Sequence, residues 1–268
     1  METFEILGFF GAFIVGLILG LIGSGGSILS VPILVYLFGI NPVTATAYSL
    51  FIVGTTSLIG SIKNLRKKLI NYSSTLLFSF SAVITVYLTR KYVIHLIPET
   101  IINSRSLSLS KDQLIMLLFS LLMLVAGFLM IKRTPKTIVG LKQTKTIAPN
   151  KLLIFAEGSL IGFLTGFIGA GGGFLIIPIL VILSNLRMKV AIATSLAIIS
   201  LKSLIGFLGD VQNLEIEWLF LLTFTLISVI GIFIGQLFSQ RVAEKKLKMI
   251  FGLFVIFIGL IIVLIEFT

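Results

Sequence analysis

Two stretches decide the fold: Gly23-Ser24-Gly25-Gly26-Ser27-Ile28-Leu29-Ser30-Val31-Pro32 and Gly169-Ala170-Gly171-Gly172-Gly173-Phe174-Leu175-Ile176-Ile177-Pro178. Each interrupts a long apolar tract and opens a short apolar run, Ile28–Ile40 or Phe174–Leu186. Thirteen residues of helix reach about 20 Å at about 1.5 Å per residue, short of a hydrocarbon core about 30 Å thick. Backbone unwound in hydrocarbon survives only if it is buried in protein or lines a wet cavity. Glycine supplies the left-handed or close-approach geometry that such a break needs. Proline suits the first helical turn, so Pro32 and Pro178 predict short helices that start just after each break. Their free N–H groups and positive dipole ends would then point at the break, an arrangement that binds anions.

Outward from the breaks, the halves match. A shift of 146 residues aligns Gly16–Gly60 with Gly162–Gly206 without a gap. It pairs Gly16 with Gly162, Gly20 with Gly166, Gly23 with Gly169, Gly25 with Gly171, Gly26 with Gly172 and Pro32 with Pro178. Ala45, Ala47, Ser49 and Gly60 likewise meet Ala191, Ala193, Ser195 and Gly206. This is an internal duplication: repeat 1 over 1–131, a basic linker over 132–151 and repeat 2 over 152–268.

Composition places the duplication in a membrane. Hydrophobic residues make up 57% of the 268 and charged ones 12%, with a mean hydropathy of +1.17. A soluble domain carries about 25% charge, so a soluble enzyme and a disordered chain are excluded. Spanning runs occur at Ile6–Ile22, Val43–Ile62, Tyr72–Thr89, Leu114–Ile131, Leu152–Ile168, Val190–Gly209, Ile216–Phe238 and Met249–Phe267. The N-terminus is acidic at Glu2 and Glu5 and shows no cleavage site, so the first run is expected to stay as a membrane segment. With no cysteine, disulfides and thiolate metal sites are absent.

The net charge of +11 belongs to the gaps between runs, which argues for the positive-inside rule rather than nucleic-acid binding. Lys63–Lys68, the linker, Arg187 with Lys189, and Arg241–Lys248 hold 16 basic residues and read as cytoplasmic. The termini, the Arg90–Asp112 gap and the Asp210–Glu217 gap hold 4 and read as external. Matching gaps thus fall on opposite sides: Lys63–Lys68 is basic where Asp210–Glu217 is acidic. The expected fold is all-α, a polytopic membrane protein of two inverted-topology repeats, each with a glycine-broken helical hairpin. Both termini are expected outside.

Candidate binding residues gather at the breaks and on one polar stripe. Ser24, Gly25, Gly26 and Ser27 in the first break, with Gly171, Gly172 and Gly173 in the second, offer backbone N–H groups. Lys202 lies mid-run, where a cation costs about 2.5–3.5 kcal/mol. It shares a helical face with Ser195, Ile199 and Gly206, matched by Ser49, Val53, Thr56 and Gly60 in the first half. Ser49, Thr56, Thr194 and Ser195 would donate hydrogen bonds, and Lys202 would supply countercharge. Glu157 reads either as a proton-coupling carboxylate or as an interfacial side chain. His95, the single histidine, falls in the Arg90–Asp112 gap, so metal and histidine chemistry have nothing to build on. The ladders Gly8/Ala12/Gly16/Gly20 and Gly158/Gly162/Gly166 read as helix-packing faces.

The doubled pattern Gly-x3-Gly-x2-Gly-x-Gly-Gly-x5-Pro-x-Leu, followed by Ala-x-Ala-x-Ser-Leu, resembles the TauE/SafE sulfite exporter family over nearly the whole chain. The resemblance implies a permease for small organosulfur or oxyanion species such as sulfite, sulfoacetate or related sulfonates. The chain departs from the pattern at Ser27, where a third glycine is expected, and at Val43, where relatives carry a basic residue followed by alanine.

The sequence therefore predicts a cell-membrane permease that exports small anions by alternating access. It predicts no enzymatic activity, no cofactor, no metal and no nucleic-acid partner. The small anion and the lipid bilayer are its partners, and oligomeric state is not readable. An anion channel, or a membrane-embedded enzyme or lipid-phosphate flippase using the same helix ends, are the alternative readings.

Overall fold

The computed structural model describes residues 2–22, 25–104, 107–131, 151–169, 171–182, 186, 188–238 and 244–267. In chain order, α1 (Glu2–Ile22) leads through a 3-10 turn at Gly25–Ile28 into α2 (Ser30–Pro32) and a π-type turn at Ile33–Leu37. Then come α3 (Pro42–Arg66) and α4 (Tyr72–Leu88). A π-type turn at Thr89–Val93 continues α4 into α5 (Ile94–Leu96). The antiparallel pair β1 (Thr100–Ser104) and β2 (Leu107–Ser110) precedes α6 (Lys111–Ile131). The second half contains α7 (Lys151–Ile168), α8 (Gly173–Ile182), α9 (Met188–Leu208), α10 (Trp218–Phe238) and α11 (Glu244–Phe267).

Six helices among the described residues are long and apolar enough to cross a membrane: Glu5–Ile22, Pro42–Arg66, Ser74–Leu96, Lys111–Phe128, Val190–Leu208 and Trp218–Phe238. Shorter apolar helices cover Gly26–Leu37, Ile154–Ile168 and Gly252–Glu266. The protein is a multi-pass, α-helical membrane protein whose one departure from all-α is the small β1–β2 hairpin. Large apolar side chains such as Leu76, Phe80, Leu226, Phe233 and Leu264 point outward, as a lipid-facing surface requires. The interior instead holds Ser49, Thr56, Ser57, Lys202, Ser203 and Asp210, all fully buried.

Small residues set the helix pairs. An added Cβ at Gly16 would meet the backbone of Ser228, and one at Gly20 the backbone of Ile232, Gly235 and Gln236, so α1 runs parallel to α10. Gly158 abuts Phe78 and Ser81, Gly162 abuts Ala82, and Gly166 abuts Val86 and Thr89, so α7 runs parallel to α4. Gly16, Gly20, Gly158 and Gly162 pack on helix backbone, as small-residue faces in membranes do, whereas Gly8 faces the Phe38 ring. At the centre α3 and α9 run antiparallel. Gly54 lies against Leu204, Tyr48 Oη accepts from the Glu217 N–H (2.7 Å), and the Asn71 N–H donates to Thr194 Oγ1 (3.0 Å). Gly127 against Ile256, and Gly259 against Met123, make α6 and α11 a second antiparallel pair.

Caps begin the central helices. Asn41 accepts from the Val43 N–H (2.9 Å) ahead of Pro42, and Asn71 accepts from the Ser74 N–H (3.0 Å). Each satisfies an N–H that the first turn leaves without a helical partner.

Two expectations need correction. Pro178 is not in the first turn: α8 starts at Gly173, five residues earlier. Pro32, by contrast, is the third residue of α2 and does fall in a first turn, with the π-type turn at Ile33–Leu37 following it. The Arg90–Asp112 gap is not all loop. The helix runs on to Leu96, so Arg90 and His95 sit on it.

The parallel ladders leave no room for a side chain at their crossings. Gly16→Val and Gly162→Val should each destabilise the protein by about 1–3 kcal/mol or more, because each new side chain meets backbone. Thermal unfolding of purified protein in detergent checks this, with Leu76→Val on the outward-facing side of α4 as the comparison.

A candidate anion site between the two breaks

The two breaks meet. An added Cβ at Gly171 would lie 3.2 Å from Ser27 Cβ and 2.6 Å from Val53 Cγ1, so the second break rests on the first and on the middle of α3. The breaks differ in construction. Gly169, Gly171 and Gly172 have φ of +72°, +61° and +65°, the left-handed region that costs other residues about 1–2 kcal/mol. The first break turns as a 3-10 helix at Gly25–Ile28. Gly26 there allows close approach instead: a Cβ would lie 2.5 Å from Leu19 N and Val15 O. Ser24 lies outside the described residues.

The hydroxyl groups around the first break form a chain. Ser30 Oγ donates to Ser27 O (2.8 Å) and lies 2.5 Å from Ser49 Oγ. With its one hydrogen spent on Ser27, Ser30 accepts from Ser49. Ser49 thereby ties α3 to the first break.

Lys202 serves the second break. It is fully buried, and its Nζ donates to Thr165 Oγ1 at 2.6 Å. Thr165 passes its own hydrogen to Ile161 O (2.7 Å). A Cβ on Gly172 would sit 3.1 Å from Nζ, so the ammonium faces the unwound backbone where α8 begins at Gly173. Among the described residues the salt bridges join Arg90 and His95 to Asp210, and none reaches Lys202. The site therefore presents one buried lysine amine beside a helix N-terminus, with no carboxylate ion-paired to it among the described residues.

The other candidates divide. Gly25, Gly26, Ser27, Ser49, Gly171, Gly172, Gly173 and Lys202 lie on or beside the breaks. Thr56 back-bonds to Ile52 O (2.5 Å) and Ser195 to Ile192 O (2.9 Å). Thr194 belongs to the far end of α9, where it accepts from Asn71, eight residues or about 12 Å of helix from Lys202. Both carboxylate oxygens of Glu157 are buried and have no hydrogen-bond partner among the described residues, so free interfacial exposure does not describe them.

Several polar residues of the interior escaped the sequence reading: Thr165, Ser30, Thr46, Arg90 and Asp210. Thr165 had a readable signal, a hydroxyl four residues before the second break within an apolar run. Arg90 and Asp210 were counted as loop charges, yet both are fully buried. Arg90 Nε donates to Asp210 Oδ2 (2.5 Å), Nη1 to Thr46 Oγ1 (2.9 Å) and Gly166 O (3.3 Å), and Nη2 to Val43 O (3.3 Å). Burial pushes the Asp210 carboxyl up, and the Arg90 guanidinium beside it opposes that shift.

Comparison with known proteins decides the family. The model for "Sulfite exporter TauE/SafE" matches residues 8–262. The chain belongs to the sulfite exporter TauE/SafE family. A "Probable membrane transporter protein" of Xylella fastidiosa (strain 9a5c) is 30% identical over 253 residues, 93% of this chain and 91% of its own. The Bacillus subtilis (strain 168) "Probable membrane transporter protein YunE" is 28% identical, covering 92% and 94%. "Probable membrane transporter protein MJ0441" of Methanocaldococcus jannaschii is 28% identical over 202 residues, covering 74% and 68%. No solved structure matches. The chain is thus a membrane transporter of this family, and sulfite export fits the family's description.

Gly172 and Gly39 share a left-handed φ, +65° and +66°, but only Gly172 is crowded, by Thr165 and Lys202. Gly172→Ala should abolish anion flux in proteoliposomes. Gly39→Ala should lose only stability, about 1–2 kcal/mol, and retain flux.

Proposed function

We propose that this TauE/SafE protein is a permease that moves small oxoanions, sulfite or organosulfonates, across the cell membrane by alternating access. The observation that carries the reading is Lys202: a fully buried amine, hydrogen-bonded to Thr165, facing the second break with no carboxylate ion-paired to it among the described residues. A buried charge left unpaired is costly, and the cargo anion is the natural partner. It would lie between the breaks, held by backbone N–H groups at the start of α8 and by Lys202. Ser27 and the Ser49 hydroxyl would border it on the side of the first break.

Alternating access follows from the two halves as inverted repeats, 1–131 and 152–268 about the linker 132–151. Two features support this. Corresponding helices, α3 with α9 and α6 with α11, pair antiparallel. The α1–α10 contact repeats as α7–α4 at the same register, Gly16 on Ser228 and Gly162 on Ala82. Repeats flipped in the membrane can rock about a fixed midplane site. With the basic gaps cytoplasmic and both termini outside, anion export runs down the membrane potential, about 2.3 kcal/mol per charge per 100 mV.

Lys202→Met should leave the protein folded, with unfolding temperature equal or higher, and should reduce sulfite and sulfonate flux at least about tenfold. Full flux in that variant would remove Lys202 from the site, and counterflow that does not saturate would indicate a channel. Lys67 and Glu215 are both exposed. Cysteines placed there should react with impermeant reagents from opposite sides of intact cells; reaction from one side would defeat the inverted arrangement.

A further inference from the structure

The anion site leaves unused the most heavily bonded charged group of the interior. The Arg90 guanidinium ties four pieces of chain together: the continuation of α4 that carries it, the last turn of α7 through Gly166, the start of α3 through Val43 and Thr46, and the turn after α9 through Asp210. It sits directly behind the second break, because Gly169 is packed on Thr46. Asp210 Oδ1 has no hydrogen-bond partner among the described residues, and His95 Nε2 lies 3.9 Å away.

The 146-residue register gives this cluster a counterpart. Arg90 corresponds to Gln236 and Asp210 to Asn64. The register holds at that point in the packing: Gly166 lies against Val86 and Thr89 as Gly20 lies against Ile232 and Gly235. At the counterpart position Gln236 Nε2 donates to Gly60 O (2.9 Å), and Asn64 Nδ2 reaches the same carbonyl (3.5 Å). Because α3 and α9 are antiparallel, the two clusters lie at opposite ends of the central pair. One end is fastened by a buried ion pair, the other by neutral amides.

We propose that Arg90–Asp210 is the lock that closes the transport path at its end of the bundle, and that Asn64 and Gln236 form a weaker lock at the opposite end. This rests on the alternating-access reading above. Charge-assisted hydrogen bonds are roughly twice as strong as neutral ones, and separating a buried ion pair strands two charges unless water follows. Separating the continuation of α4 from the turn after α9 must break this pair, whereas the amide bonds of Asn64 and Gln236 to Gly60 O at the other end involve no ion pair. The difference biases the empty protein toward being closed at the Asp210 end, and the bias is removed by making the two ends alike.

The chain has no cysteine, so one introduced residue reports alone. Val53 is fully buried beside Gly171, and Val53→Cys should react with an impermeant thiol reagent mainly from the Asn64 end. Adding Arg90→Gln with Asp210→Asn, which copies the neutral end, should raise reaction from the Asp210 end about tenfold. Transferring the charges instead, Asn64→Asp with Gln236→Arg, should lower reaction from the Asn64 end by a similar factor. If the first double variant fails to fold, the second decides. Folded protein with unchanged two-sided labelling in the charge-transfer variant overturns the lock. Equal labelling from both ends in Val53→Cys alone likewise overturns the lock, because unbiased alternating access exposes the site to each side in turn; alternating access itself fails separately, if counterflow does not saturate.

Discussion

Hydrocarbon offers no hydrogen bonds, so each unwound peptide and each charge within the membrane must be answered by protein or by cargo. The two glycine breaks bring that demand to the centre of the bundle, and the rest of the architecture meets it. The ladders on α1 and α7 carry glycine, so α10 and α4 approach to backbone contact and seal the flanks. Two helices with short polar side chains, α3 and α9, cross beside the breaks. Ser30, Ser49, Thr46 and Thr165 supply hydrogen bonds where helix ladders end. The large apolar residues, released from core duty, face the lipid.

Duplication supplies the frame, and divergence supplies the chemistry. Position by position, Thr56 stands where the second half has Lys202, Leu19 where it has Thr165, and Ser27 where it has Gly173. The first break is a tight 3-10 turn pressed on α1, while the second takes three glycines through left-handed backbone. A two-fold frame filled with two-fold chemistry would place two cations side by side, and their repulsion in low dielectric would be severe. One lysine avoids that, and in the proposed permease it is the single countercharge for a single anionic group.

Much of this was legible in the sequence because membrane physics writes loudly. Runs long enough to span, glycine clusters that cannot face lipid, and a six-glycine register at one fixed shift each have few explanations. The same logic placed Lys202 inside. Arg90 and Asp210 were lost because each lies at the edge of an apolar run, where charges are normally solvated. Only the antiparallel crossing of α3 and α9 and the continuation of α4 to Leu96 show that these edges fold inward and meet. Thr194 was misplaced for the opposite reason: it shares a helix with Lys202, but the contact that claims it comes from Asn71, 123 residues away in the chain. The helical wheel records neighbours within a helix and is silent on which neighbouring turn docks against it.

In the proposed permease the chemistry of Lys202 also bears on how cargo leaves. Had evolution placed a carboxylate beside it, the cation would be satisfied and an arriving anion would have to displace an internal partner. Thr165 holds the ammonium in place through one hydrogen bond without cancelling its charge, and Thr165 in turn is held by Ile161. The site is thus positioned but electrically unfinished. A guanidinium in the same place would grip an oxoanion through two parallel bonds. An ammonium is a point charge on a flexible stem, which attracts the anion without fixing its orientation. For a transporter, which must release what it binds at each turn of its cycle, the looser hold is the useful one.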